Sequence, residues 1–244
     1  MVTTSLFHFT RSFDTLSAIL VGGSFWPQFC LEDASWIRNR PTQLAFCVTC
    51  FCDIPLSKLD GHRDIFGSYG IGLSKDWGLR NGLNPVVYIN KDSPIIAMLR
   101  EAFGSSDHLY EALGSDAYTS AIELAAYCKP YQGIVRRKAG EVPVTFYDEH
   151  EWRYVPRTIY KTTQFFFDTI EHPEKNRLQQ LSLETKRFSI GFEADDIRYI
   201  VVERNDEISA AIELIRRAFG GASESTVSRL LTRVVSLDDV GRDF

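Results

Sequence analysis

The chain has 244 residues, 44% hydrophobic, 24% charged and 13% aromatic, a profile that excludes disordered, collagen-like and coiled-coil classes. With 32 acidic and 27 basic residues the formal charge is −5, so no global field draws the protein to nucleic acid or anionic lipid. Any such contact must be local. The N-terminal residues carry no long apolar run behind a basic flank, and no window approaches the ~20 apolar residues of a membrane span. A cytoplasmic protein with no membrane partner is expected. Five cysteines, an odd number in a chain too large to depend on bridges, point to reduced thiols. The length fits a single domain over 1–244.

In chain order, Leu6 to Phe9 reads as a short strand with His8 near its end. Ser12 or Asp14 caps a helix through Leu16, Ile19 and Leu20, which Gly22-Gly23 stops. Leu44 to Ile54 is apolar, rich in β-compatible residues and bounded by Pro41 and Pro55, the mark of a buried strand. A turn at Asp53 to Leu56 leads into a short helix near Leu59 to Phe66. Gly67 to Leu73 gives a third strand and Pro85 to Ile89 a fourth, joined by a glycine-rich loop holding Gly78, Gly82 and Asn84.

From Ser93 the period changes. Ile95, Ile96, Met98, Leu99 and Phe103, then Leu109, Leu113, Tyr118, Ile122, Leu124 and Ala125, recur at helical spacing. They predict a helical insert at about 93–128. Strand signals return at Gly133 to Val135, Phe146 to Tyr147 and Trp152 to Val155, and Ile197 to Val202 reads as a buried strand. Glu207 to Phe219 follows as an amphipathic helix ended by Gly220-Gly221, and Val234-Val235 makes a last edge strand. Helices that cluster instead of alternating with strands predict an α+β fold with a mostly antiparallel sheet and flanking helices.

Cys47-Val48-Thr49-Cys50 invites a metal or redox reading, but an extended backbone puts Cys47 and Cys50 on opposite faces. No second pair completes a tetrahedral set, so no metal is expected. Gly67, Gly70 and Gly72 lack the order of a dinucleotide fingerprint, and no phosphate-binding Gly-x-x-x-x-Gly-Lys is present.

The informative segment is Tyr147-Asp148-Glu149-His150-Glu151-Trp152-Arg153-Tyr154. On an extended backbone Glu149, Glu151 and Arg153 share a face, and like charges that close raise one carboxyl pKa unless a cation intervenes. Such a run either pairs one carboxylate with Arg153 and leaves the other as a hydrogen-bonding or general-base group, or forms an exposed charged strand edge. Asp148 falls on the opposite face, which weakens a magnesium site. His8 and Thr10 are a second set, with Tyr69 and Tyr88 as further candidates. Alone, a strand histidine more often serves as a structural hydrogen bonder, and such tyrosines as core aromatics. Arg136-Arg137-Lys138, with Arg157 and Lys161, are either a local phosphate-contacting strip or a solvated loop.

Taken together, Leu6-Phe7-His8-Phe9-Thr10, Cys50-Phe51-Cys52-Asp53-Ile54-Pro55-Leu56, His62, Tyr69-Gly70-Ile71-Gly72-Leu73, Asn84-Pro85-Val86-Val87-Tyr88 and the Tyr147 to Tyr154 run resemble the AbiGi family of abortive-phage-infection proteins, often labelled antitoxins. The order His…Tyr…Glu is also similar to ADP-ribosyltransferase-like folds of the DarT type, built on a split, mostly antiparallel sheet. That second resemblance implies a phage-defence enzyme that uses NAD as substrate and transfers ADP-ribose to a nucleic-acid or protein acceptor. It casts Glu151, Glu149, His8 and Tyr69 as the catalytic set. His8, Thr10, Arg11, Tyr69 and Cys52 become the NAD-binding set, with Tyr69 stacked on nicotinamide. Glu151 would stabilise the developing oxocarbenium ion, Glu149 would act on the acceptor, and Arg153 would orient Glu151. Thr49-Cys50-Phe51-Cys52 departs from the Ser-Thr-Ser that many such enzymes carry. The antitoxin label implies the alternative, a non-catalytic binding protein whose acidic charge complements an operon-encoded partner toxin.

Overall fold

The computed structural model describes residues 3–38, 41–104, 120, 123–137, 140–156 and 175–243. Its strands are β1 (Ser5–Thr10), β2 (Ser24–Phe25), β3 (Gln28–Asp33), β4 (Gln43–Cys52), β5 (Tyr69–Ser74), β6 (Asn84–Pro85) and β7 (Val87–Ile89). Then follow β8 (Cys128–Pro130), β9 (Gln132–Arg137), β10 (Gly140–Thr145), β11 (Glu151–Tyr154), β12 (Ile190–Gly191), β13 (Ile197–Val202) and β14 (Val234–Ser236). The chain divides into two compact units, one of Met1–Phe25, Cys50–Leu83 and Ile190–Phe244, the other of Trp26–Thr49 and Asn84–Ser189. The class is α+β with mostly antiparallel pairing, as the clustered helices predict.

In the first unit β5 is antiparallel to both β1 and β13, β1 pairs with the Cys52 end of β4, and β14 runs parallel to β13 at the edge. Alternation along β1 sorts its side chains. Leu6, His8 and Thr10 take one face, Phe7 and Phe9 the other. On the first face Phe25, Phe51 and Trp77 form a ring cluster with centroids 5.0 Å apart for Phe25–Phe51 and 5.3 Å for Phe51–Trp77. The buried Trp77 indole N–H donates to the Gly191 carbonyl at 2.9 Å, as a core tryptophan must. On the other face Phe7 packs with Cys52, Ile54, Leu59, Val201 and Leu237. The Phe13–Gly22 helix buries Leu16 and Leu20; Ser12 caps it by accepting from the Thr15 N–H at 3.2 Å, and Gly23 ends it in the left-handed region.

The expected glycine-rich loop is in part a helix, Lys75–Arg80. Ser74 caps it by accepting from the Trp77 N–H, and Asp76 favours its first turn, signals that outweigh one glycine. Gly78 lies inside that helix because a Cβ there would sit 2.6 Å from the Leu6 side chain. Gly82, at φ +73, makes the turn that follows.

In the second unit β3 pairs antiparallel with β4, β6 with β11 and β9 with β10, while β7 and β8 run parallel. The helix Pro94–Gly104 occupies the start of the expected helical insert, and Leu109, Leu113, Tyr118 and Ile122 lie outside the described residues. Helices Lys175–Glu184, Glu224–Leu231 and Leu237–Asp243 and strand β3 are additions to the sequence reading. All five cysteines are free thiols. Among the described residues no helix is long and apolar enough to cross a membrane.

Gly67 is required by its backbone conformation as well as by space. Gly67, at φ +97, follows the short Arg63–Phe66 helix, and a Cβ there would stand 2.0 Å from the Thr10 carbonyl oxygen. Gly67→Ala should therefore lose at least about 2 kcal/mol in urea unfolding. An unchanged midpoint would mean that the turn relaxes freely.

Candidate functional site

Two groups of expected residues emerge, one in each unit. His8, Thr10, Arg11, Tyr69 and Cys52 belong to the first unit, Glu149, Glu151 and Arg153 to the second.

In the second unit the parallel β7–β8 pair sets Tyr88 beside Lys129. After β10 the chain makes a single tight turn, Phe146–Glu149, and His150 reverses it in the left-handed region at φ 43 and ψ 48 before β11 begins at Glu151. The backbone is therefore not extended across Glu149, and alternation does not bring the two glutamates together. Lys129 does. Its ammonium lies 2.6 Å from Glu149 Oε2 and 2.8 Å from Glu151 Oε2, with its Nζ 5.0 Å from the Phe146 ring centroid.

Glu151 and Arg153 do alternate along β11, and Arg153 Nε donates to Glu151 Oε1 at 2.7 Å. The rest of the guanidinium donates to Glu151 Oε2 at 3.3 Å, to the Ala126 carbonyl at 2.6 Å and to both oxygens of Glu32. Arg153 is 0% exposed and Glu151 6%, so three carboxylates and two cations form one network largely withdrawn from water. The Glu151 N–H donates to the Tyr88 hydroxyl at 2.8 Å, and the Glu151 carbonyl accepts from the Val86 N–H.

Burial raises the Glu149 carboxyl above the ordinary glutamate range, against the pull of Lys129. Burial works to lower Lys129, but Glu151 and Glu149 outweigh it and hold the ammonium above the ordinary lysine range. Lys129 therefore stays charged wherever the protein is folded near neutrality.

In the first unit the β1–β5 register sets Thr10 opposite Tyr69 and His8 opposite Ile71, so His8, Thr10 and Tyr69 share one sheet face. Each has a partner there. His8 is half-buried between Phe25 and Phe51, with Nδ1 2.8 Å from the Cys50 carbonyl, which fixes the proton on that nitrogen. Burial lowers its pKa, so the ring stays neutral. Thr10 Oγ1 donates to the Ser12 carbonyl at 3.0 Å. The Tyr69 hydroxyl donates to Glu207 at 2.7 Å, and burial followed by that bond pushes the phenol up to about 12. Its ring meets the edge of Phe13. Arg11 is exposed, and Cys52 lies on the opposite face, in the core.

His8, Thr10 and Tyr69 thus already hold internal bonds. Among the described residues no set of His, Cys, Asp or Glu side chains converges as a metal site. Arg136 and Arg137 fall on β9, while Lys138, Arg157 and Lys161 lie outside the described residues.

Sequence reasoning missed Lys129 and Glu32, which complete the network. Lys129 had a signal: it is the single charge in the apolar run Ala125-Ala126-Tyr127-Cys128-Lys129-Pro130-Tyr131. Glu32 had none, because a glutamate on a short strand ordinarily faces water.

Comparison with known proteins gives a family. The model of the family described as "Putative abortive phage resistance protein AbiGi, antitoxin" matches residues 23–203. The chain is 28% identical, over 91% of its length and 100% of the relative's, to a Lactococcus lactis subsp. cremoris protein named "Abortive phage resistance protein AbiGi". No solved structure matches.

Two measurements test the network. Arg153→Ala strands Glu32 and Glu151 without their shared cation and should destabilise the protein by about 3–5 kcal/mol in urea unfolding. A loss under about 1 kcal/mol would mean that water reaches the site. Because the Glu149 carboxyl is raised in the folded state, the folded protein binds that proton more tightly than the unfolded chain does. Its contribution is full below the ordinary glutamate value and declines as pH rises through the raised one. Glu149→Gln should remove that decline from a stability series run between about pH 4 and about pH 7; an unaltered slope would contradict the assignment.

Proposed function

This chain belongs to the AbiGi family, and from that premise we propose that it acts in abortive phage resistance as an antitoxin, neutralising a partner toxin by binding it and without catalysing a reaction. The observation that supports this most is at Glu151. Stabilising an oxocarbenium ion takes a fixed anion with an open oxygen, and both Glu151 oxygens are occupied, Oε1 by Arg153 and Oε2 by Lys129 and Arg153. A carboxylate already neutralised from two sides has little field left for a transition state. The engagement of Tyr69 with Glu207, and of His8 with the Cys50 carbonyl, points the same way. The formal charge of −5 suits a basic partner.

NAD-dependent ADP-ribosyl transfer to a nucleic-acid or protein acceptor is the competing reading. One observation favours it: Glu149 sits beside Glu151 on their shared Lys129, with its carboxyl raised by burial above the ordinary glutamate range, the direction a general base needs. Expression decides between them. The chain expressed alone should leave growth unchanged, should restore growth when co-expressed with the toxin of its operon, and should release no nicotinamide from labelled NAD. Toxicity or nicotinamide release by the wild type, abolished by Glu151→Gln with the fold intact, would overturn the binding reading in favour of the enzyme.

A further inference from the structure

The turn that carries Glu149 also carries an aromatic surface which the charge network does not use. Tyr131 follows β8, and its N–H donates to the Ile89 carbonyl at 2.8 Å. Its ring stacks on Tyr147, centroids 5.6 Å apart and planes 26° apart. Tyr147 meets Tyr88 edge-on at 5.4 Å and lies 5.0 Å from the His150 ring. Tyr131 is 41% exposed and Tyr147 45%, and His150 and Asp148 are exposed as well.

These rings are held in place. The Tyr147 N–H donates to the Tyr131 carbonyl at 3.3 Å, the His150 N–H to the Tyr147 carbonyl at 3.1 Å, and the Tyr88 hydroxyl accepts from the Glu151 N–H beneath. His150 is the one non-glycine residue at positive φ among those described, an unfavourable conformation that keeps its ring against Tyr147. Tyrosines fixed before a partner arrives lose little entropy on binding, which is why they anchor interfaces.

The charge around them selects the partner. Asp148 is exposed in the same turn and has no ion pair among the described residues. Behind it Glu149, Glu151 and Glu32 are paired with Lys129 and Arg153, so the charge this turn presents to a partner is the Asp148 carboxylate. A π-rich surface in an acidic setting attracts a cation and repels a phosphate backbone. A guanidinium fits better than an ammonium, because its plane can lie on a tyrosine face while its edge reaches the Asp148 carboxylate.

We propose that the Tyr131–Tyr147–His150 surface with Asp148 is where the partner protein docks, by seating an arginine side chain on the tyrosine rings. The inference deepens the antitoxin reading and rests on it. The probe is a capped Gly-Arg-Gly-Arg-Gly peptide, titrated against the full chain by calorimetry, beside the same peptide with citrulline in place of arginine and a single-stranded uridine oligonucleotide. The arginine peptide should bind about tenfold more tightly than the citrulline one, which keeps the shape and loses the charge. Tyr147→Ala should weaken it about tenfold and Asp148→Asn about threefold. Equal affinity for the two peptides, indifference to Tyr147→Ala, or oligonucleotide binding that Tyr147→Ala abolishes would each overturn the proposal.

Co-expression separates this inference from the reading beneath it. If the wild-type chain neutralises the operon's toxin and the Tyr147→Ala, Asp148→Asn double variant does so equally well, the docking surface is wrong and the antitoxin reading stands. If the wild type fails to neutralise while the peptide results hold, the antitoxin reading falls and the arginine-binding surface remains.

Discussion

A guanidinium shut away from water organises the second unit. Arg153 cannot give up its proton, and an ion of that size carries a desolvation penalty of several kcal/mol even after the protein relaxes around it. Every donor it has must therefore meet an acceptor, and Glu151, Glu32 and the Ala126 carbonyl supply them. With Glu151 recruited by Arg153, Lys129 is needed to hold Glu149, and the turn at His150 is needed to deliver Glu149 to Lys129. The same turn lifts Tyr147 and His150 to the surface. One buried charge thus leads, through a chain of obligatory partners, to the face that the protein presents outward.

Much of this was legible in the sequence where a signal was local. The short Leu6 to Phe9 segment and the apolar run of β4 located the strands, and Ser12 or Asp14 with Gly22-Gly23 bounded the first helix, where the structure shows Ser12 as the cap. The Glu151–Arg153 pair followed from the two-residue period of a strand. The glycines of β5 do not follow the order of a nucleotide fingerprint, and the structure supplies a purpose for them. A Cβ at Gly70 would stand 2.7 Å from the Phe9 ring and one at Gly72 2.6 Å from the Phe7 ring, so each hydrogen makes room for an aromatic side chain.

The rest depended on contacts between distant segments. Lys129 meets Glu149 twenty positions on, and Glu32 meets Arg153 from 121 positions away, separations that no local period encodes. The helix Lys75–Arg80 was hidden because Gly78 reads as a loop residue, whereas its lack of a side chain serves close packing on Leu6. Glu149 was placed near Glu151 for the wrong reason: pleating was assumed where a left-handed residue does the work.

A network of three acids and two bases also limits how such a chain can diverge. Any descendant that mislays Arg153 must discard or reseat Glu32 and Glu151 in the same stroke, because Glu32 would be marooned and Glu151 left to share Lys129 with Glu149. These five positions are bound to drift together or not at all, while the neighbouring surface tyrosines are free to be retuned one at a time as the opposing molecule changes.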